Sequence, residues 1–324
     1  MSWLVWRQYR LQAAAGAILL AGFAAVIIAS GVPMASQWHT AISSCATAGG
    51  NGCGGVALGE GIGHDFVVLS LLVPAILGIF WGAPLVAYEL ESGTSQHAWT
   101  QTVTRTRWLT VKAGWLLLAA AAWGGAVAAL VTWWSGPPNA AFGTAFQPSY
   151  FDVEGIVPVG YAVFATALGI AAGTLLRRTQ PAIAVTHGGF VGLRLLTDSL
   201  RPHYMTAVTA YYSMTGNFSP PSGSWSLTSG VVSKTGQVVS EVRGTNVDGV
   251  PLSALSQACQ KLVEGTGTDN AVRSCINSAG FRQYLNYQPA NRLWAFQGVE
   301  TGIYVLLAAA LLAVTYMVVR RRDA

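Results

Sequence analysis

Residues 113–134 read AGWLLLAAAAWGGAVAALVTWW, with no Asp, Glu, Lys or Arg. A hydrocarbon core is about 30 Å thick, and a helix rising about 1.5 Å per residue needs about 20 apolar residues to cross it. This stretch meets that requirement, with Lys112 marking where the chain enters. Five further stretches follow the same pattern: 13–32, 66–88, 155–176, 181–200 and 293–319. Those at 13–32, 66–88 and 155–176 also lack all four charged residue types, whereas 181–200 holds His187, Arg194 and Asp198, and 293–319 holds Glu300. The whole chain agrees with this reading. Only 10% of its 324 residues are charged and 52% are hydrophobic, against about 25% charged in a soluble domain. The expected fold is therefore an all-α polytopic membrane protein with six transmembrane helices.

Basic residues set the orientation. With the N-terminus inside, the cytoplasmic pieces hold Arg7, Arg10, Arg105, Arg107, Lys112, Arg177, Arg178 and Arg320–Arg322. The short outside loops 33–65 and 135–154 hold no Lys or Arg, which is the positive-inside pattern. Both termini are then expected in the cytoplasm. The competing reading of the first helix is a cleavable signal peptide ending near Met34-Ala35-Ser36. Its removal would leave five spans and a frustrated charge pattern, so a retained helix is expected. The net charge of +5 follows from this topology and implies no nucleic-acid partner, because no basic cluster is interleaved with aromatics.

Residues 201–292 form the one soluble-looking segment, expected as a small mixed α+β extracytoplasmic domain between helices five and six. Residues 1–200 carry the first five helices, and 293–324 the sixth helix and a cytoplasmic tail. Valines flank Lys234-Thr235-Gly236-Gln237, which reads as a hairpin. Two short helices should follow, one ending near Glu264 and one running from Asp269 towards Gly280. Cys45 and Cys53, and Cys259 and Cys275, lie on the oxidising side in two local pairs, and disulfides are expected. Their spacings match no zinc pattern, and no metal site is expected.

The motifs of common membrane enzymes are missing, as is a phosphate-binding Gly-x4-Gly-Lys-Ser/Thr loop, so the chain is read as a non-enzyme with no cofactor of its own. Two small-xxx-small pairs, Gly78/Gly82 and Gly169/Gly173, allow close helix approach, within one chain or between two copies. Inside the spans, Arg194 and Glu300 fall at matching depth below the outer surface. A charge there is costly unless paired, so the two are expected to meet, with Asp198 competing for Arg194 at i, i+4. The pair is read either as a structural strut or as a site on a substrate path.

The cytoplasmic connection 89–112 runs Glu89-Leu90-Glu91-Ser92-Gly93-Thr94, then Thr100-Gln101-Thr102-Val103-Thr104-Arg105-Thr106-Arg107-Trp108-Leu109 and Lys112. Gly93 permits a sharp turn, and Thr94 can cap a short helix. This segment resembles the coupling-helix region of type-2 ABC transporter permeases. The start, Trp3–Arg10, and the approach to the last helix, Tyr287–Gln297 with Glu300, resemble the same family. That resemblance implies the permease half of an ABC exporter, pairing into a homodimer and binding separate ATPase subunits. ATP and Mg would enter only through that partner, which Glu89, Glu91, Gly93 and Thr94 would meet. The large segment between the last two helices departs from many such permeases. The alternative is a membrane sensor or receptor whose extracytoplasmic domain binds a ligand.

Overall fold

The computed structural model describes residues 10, 14–32, 60–91, 104–215, 220–242, 250, 255–264 and 268–321. The chain divides into two compact units, Met1–Ser199 with Trp294–Ala324, and Leu200–Leu293.

The first unit is helical: α1 (Ala14–Val32), α2 (Glu60–Leu77), α3 (Ala83–Glu91), α4 (Arg105–Trp134), α5 (Gly136–Phe142), α6 (Pro148–Phe151), α7 (Val157–Leu176), α8 (Thr179–Leu200) and α11 (Leu293–Arg321). Among the described residues, four helices are long and apolar enough to cross a membrane: Ala14–Val32, Thr106–Trp134, Val157–Leu176 and Ala290–Arg321. Leu69–Gly82 is a shorter apolar helix. The expected spans at 66–88 and 181–200 are helical too. However, α8 is diluted by Thr179, Gln180, Thr186, His187, Arg194, Thr197 and Asp198.

Helix α7 is the axis of this unit, because its small residues let neighbours approach its backbone. α2 carries Pro74, which removes an intrahelical donor, and then widens into a π-helical turn at Gly78–Gly82, where the Ala83 N–H bonds the Gly78 carbonyl. A Cβ at Gly78 or Gly82 would lie 2.7 Å from the carbonyl oxygen of Ala165 or Thr166. One at Gly169 would lie 2.6 Å from the Ala83 nitrogen, and one at Gly173 2.8 Å from the Ala83 carbonyl. The two small-xxx-small pairs thus face one another within the chain. α4 closes on α7 in the same way, a Cβ at Gly124 falling 3.0 Å from both the Ala162 methyl and the Pro158 carbonyl.

α4 starts well before its apolar stretch. Thr104 caps it, accepting from the Arg107 N–H at 3.4 Å, and Lys112 lies over the Trp108 ring at 4.6 Å. Residues 136–156 are not an extended loop. Prolines at the start of α5 and α6, and Gly143 at φ +64, divide the segment into short helices that bury Phe146 and Phe151.

The second unit holds an antiparallel sheet ordered β1-β4-β2-β3, from β1 (Val208–Ser213), β2 (Trp225–Val232), β3 (Val238–Val242) and β4 (Arg282–Gln288). The expected hairpin is β2–β3, with Gly236 at φ +81 in its turn. The helices α9 (Gln257–Glu264) and α10 (Asp269–Ser278) are joined by the Cys259–Cys275 disulfide. Their core gathers Met214, Val231, Leu255, Cys259, Ile276 and Phe281. A bridge closing a loop of 16 residues stabilises by about 3 kcal/mol.

Candidate functional site

Arg194, on α8, has its guanidinium side chain largely buried, at 16% exposure. Its Nη2 donates to Asp152 Oδ2 at 2.6 Å, and its Nη1 to Glu300 Oε1 at 3.3 Å. Nη1 also donates to the Tyr161 hydroxyl at 2.5 Å, and the guanidinium lies 4.4 Å from the centre of that ring. The Tyr161 hydroxyl in turn reaches Glu300 Oε1, and Asp152 Oδ1 at 3.1 Å. It has one proton, so it donates to one carboxylate at a time while accepting from Arg194. Charge-assisted bonds of this kind are stronger than neutral ones, and low dielectric raises the penalty for removing one partner.

Four elements meet there: the 152–156 turn, α7, α8 and α11. About one turn further along α8 and α11, the Thr197 and Tyr304 hydroxyls bond at 2.9 Å, and Tyr304 packs edge-on against Tyr161 and Phe164. Towards the turn, Gln297 Oε1 accepts from the N–H groups of Ile156 and Val157 at 2.9 and 3.2 Å. Its Nε2 donates to the carbonyls of Phe151 and Glu154 at 3.3 and 3.1 Å. Gln297 therefore satisfies donors at the start of α7 that the helix leaves open. Gly155, at φ +68, is required beside it, since a Cβ would lie 2.6 Å from Gln297 Oε1. Glu154 is buried and accepts from Asn139 Nδ2 at 3.2 and 3.0 Å. Burial pushes its carboxyl above the ordinary value, against hydrogen bonds with Ser135 and Asn139 that pull it down.

Asp152, Tyr161 and Gln297 were not anticipated. Asp152 and Glu154 are the only charged residues in 135–154, a segment otherwise rich in Phe and Pro, which was the available signal. Asp198 lies one turn past Arg194 and is exposed.

At the other end of α8, Glu91 Oε2 accepts from the Thr179 N–H at 3.0 Å and the Thr179 hydroxyl at 2.7 Å. The carboxylate caps the N-terminus of α8, where negative charge is favoured. The hydroxyl bond, then the backbone bond, hold its carboxyl below the ordinary value, with Arg178 adding attraction. Arg177, at φ +52, makes the reversal between α7 and α8. Gly93, Thr94, Cys45 and Cys53 lie outside the described residues, and Glu89 is described only as backbone of α3. Among the described residues, no group of three or more His, Cys, Asp or Glu could hold a metal ion.

The family model described as ABC-2 membrane transporter related matches residues 17–201. The chain belongs to that family. The match runs from the first apolar helix through α8 and includes Glu91, Asp152, Tyr161 and Arg194. No curated protein and no solved structure matches the chain. As an ABC-2-type permease, it is a multi-pass membrane component of a transporter.

Proposed function

We propose that this ABC-2-type permease is the membrane subunit of an exporter in the bacterial plasma membrane, driven by a separate ATPase subunit that binds ATP and Mg. The observation that carries this is the family match over residues 17–201, together with the small-residue helix bundle it covers. Six crossings with both termini inside are part of the proposal, since the arginine-free loops at 33–65 and 135–154 favour that orientation. Residues 201–292 then fold outside, where a disulfide is stable.

The working unit is a homodimer, with the substrate path between two copies. Gly78/Gly82 and Gly169/Gly173 are occupied by each other, so the dimer contact uses other surfaces. ATP binding by the partner would move the segment that begins at Glu89, and with it α3 and α8. Purification of the tagged chain from native membranes tests the reading. An ATP-binding protein should travel with it, and vesicles holding both should release a substrate only with ATP. A co-purifying kinase in place of the ATPase would overturn the proposal in favour of a sensor.

A further inference from the structure

We propose that the second unit binds a phosphate-bearing group in the cleft between the β2–β3 turn and the turn that ends α10. The cleft has a volume of about 470 Å³, and among the described residues its lining includes Tyr211, Lys234, Gly280 and Arg282 but no Asp or Glu.

The sheet register places its groups. Arg282 opens β4, paired with Ser213 on one side and Val232 on the other. Tyr211 is paired with Tyr284, two residues along β4 from Arg282, so Tyr211 and Arg282 share a face of the sheet. Lys234 arrives from the β2–β3 turn and is held by its stem. A Cβ at Gly280 would lie 3.0 Å from Lys234 Cβ and 3.3 Å from Cδ. Gly280 is at φ +89, so both the backbone and the packing require glycine there.

Two cations therefore open into one cleft, and among the described residues neither has an acidic partner. Other arginines of this chain are used differently: Arg194 binds two carboxylates, and Arg292 donates to the Thr206 carbonyl and Gln288. An anion seated in the cleft meets both positive charges at once. A phosphate suits the pair better than a carboxylate, because it offers more charge and more acceptor oxygens to a guanidinium and an ammonium. The Tyr211 ring, 61% exposed, offers a flat apolar surface to whatever the phosphate carries. The group is either a lipid headgroup or a free phosphate.

The test uses the full chain in a maltoside detergent, titrated calorimetrically with inorganic phosphate and separately with a short-chain phosphatidic acid. At least one probe should bind saturably. Affinity should fall about tenfold or more in Lys234→Gln/Arg282→Gln and return in Lys234→Arg/Arg282→Lys. Binding of phosphatidic acid alone identifies a lipid headgroup, and equal binding of both identifies a free phosphate. The unfolding temperature of each variant in the same detergent reports its fold, and Lys234→Gln alone replaces the double variant if that temperature falls. Absence of saturable binding by either probe overturns the proposal, as does binding that the glutamine variant retains in full.

Discussion

Arg194 connects four elements through one side chain, so its removal should cost more than any surface change. Arg194→Met leaves Asp152 and Glu300 facing each other's environment without their cation, and breaking a buried pair this way costs about 3–5 kcal/mol. Adding Asp152→Asn should recover more of that loss than adding Glu300→Gln, because Asp152 holds the shorter contact, 2.6 against 3.3 Å. Thermal unfolding of the four proteins in detergent reads the order directly, and equal recovery by the two partners would refute it. Gln297→Leu should cost about 2 kcal/mol, since it strands two N–H groups at the start of α7. Glu154 gives a pH dependence whose sign is fixed. Its carboxyl is raised above 4.5 by burial, so the folded state holds the proton more tightly than the unfolded one. Its contribution is fully present below 4.5 and is lost as pH rises through the raised value. Glu154→Gln should therefore flatten the decline in unfolding temperature across that window, and an unchanged profile would show that Glu154 is not its source.

At the scale of elements, the π-helical turn and α7 meet backbone to backbone. Gly169→Ala places a methyl 2.6 Å from the Ala83 nitrogen, and backbone cannot yield as a side chain can. A loss of about 1–3 kcal/mol is expected, whereas Gly114→Ala, with nothing within 4 Å, should be neutral or slightly stabilising. Matched unfolding curves for the two variants would contradict the packing. These glycines were legible in the sequence because their spacing of four is a helix-face signal, although which face each met was not. Arg194 and Glu300 were legible for a related reason, that a charge in an apolar helix demands an explanation. Asp152 was not, because it sits in a connection, and nothing local says that 136–156 folds back as short helices to deliver a carboxylate. Nor was β4 visible: Arg282–Gln288 becomes a central strand only by pairing with β1 and β2, and such partners lie 50 or more residues away in the chain. The β2–β3 hairpin, closed by its own turn, needed no distant partner.

For the whole molecule, the question is how an event at the Glu91 end, cytoplasmic in the proposed topology, reaches the buried cluster around Arg194. Helix α8 spans the two, with Thr179 at one end bound to Glu91 and Arg194 four turns further along. The Glu91 carboxylate thus has two possible partners, the cap of α8 within this chain and a basic group on the proposed ATPase. The two are separable because Thr179 can be changed without touching the acid. Glu91→Lys reverses the charge, removes the cap and presents a cation to the partner, so ATPase co-purification should fall about tenfold or more. Thr179→Val removes only the hydroxyl bond and keeps the N–H bond and the charge, so association should stay near the level of the unchanged chain. Transport per ATP hydrolysed should drop in Thr179→Val, because the segment then holds α8 through a single hydrogen bond. If Thr179→Val loses the ATPase as completely as Glu91→Lys, then Glu91 acts by placing α8 and does not itself meet the partner. If neither change affects association, the docking surface lies elsewhere in residues 89–112, and Glu91 is a helix cap alone.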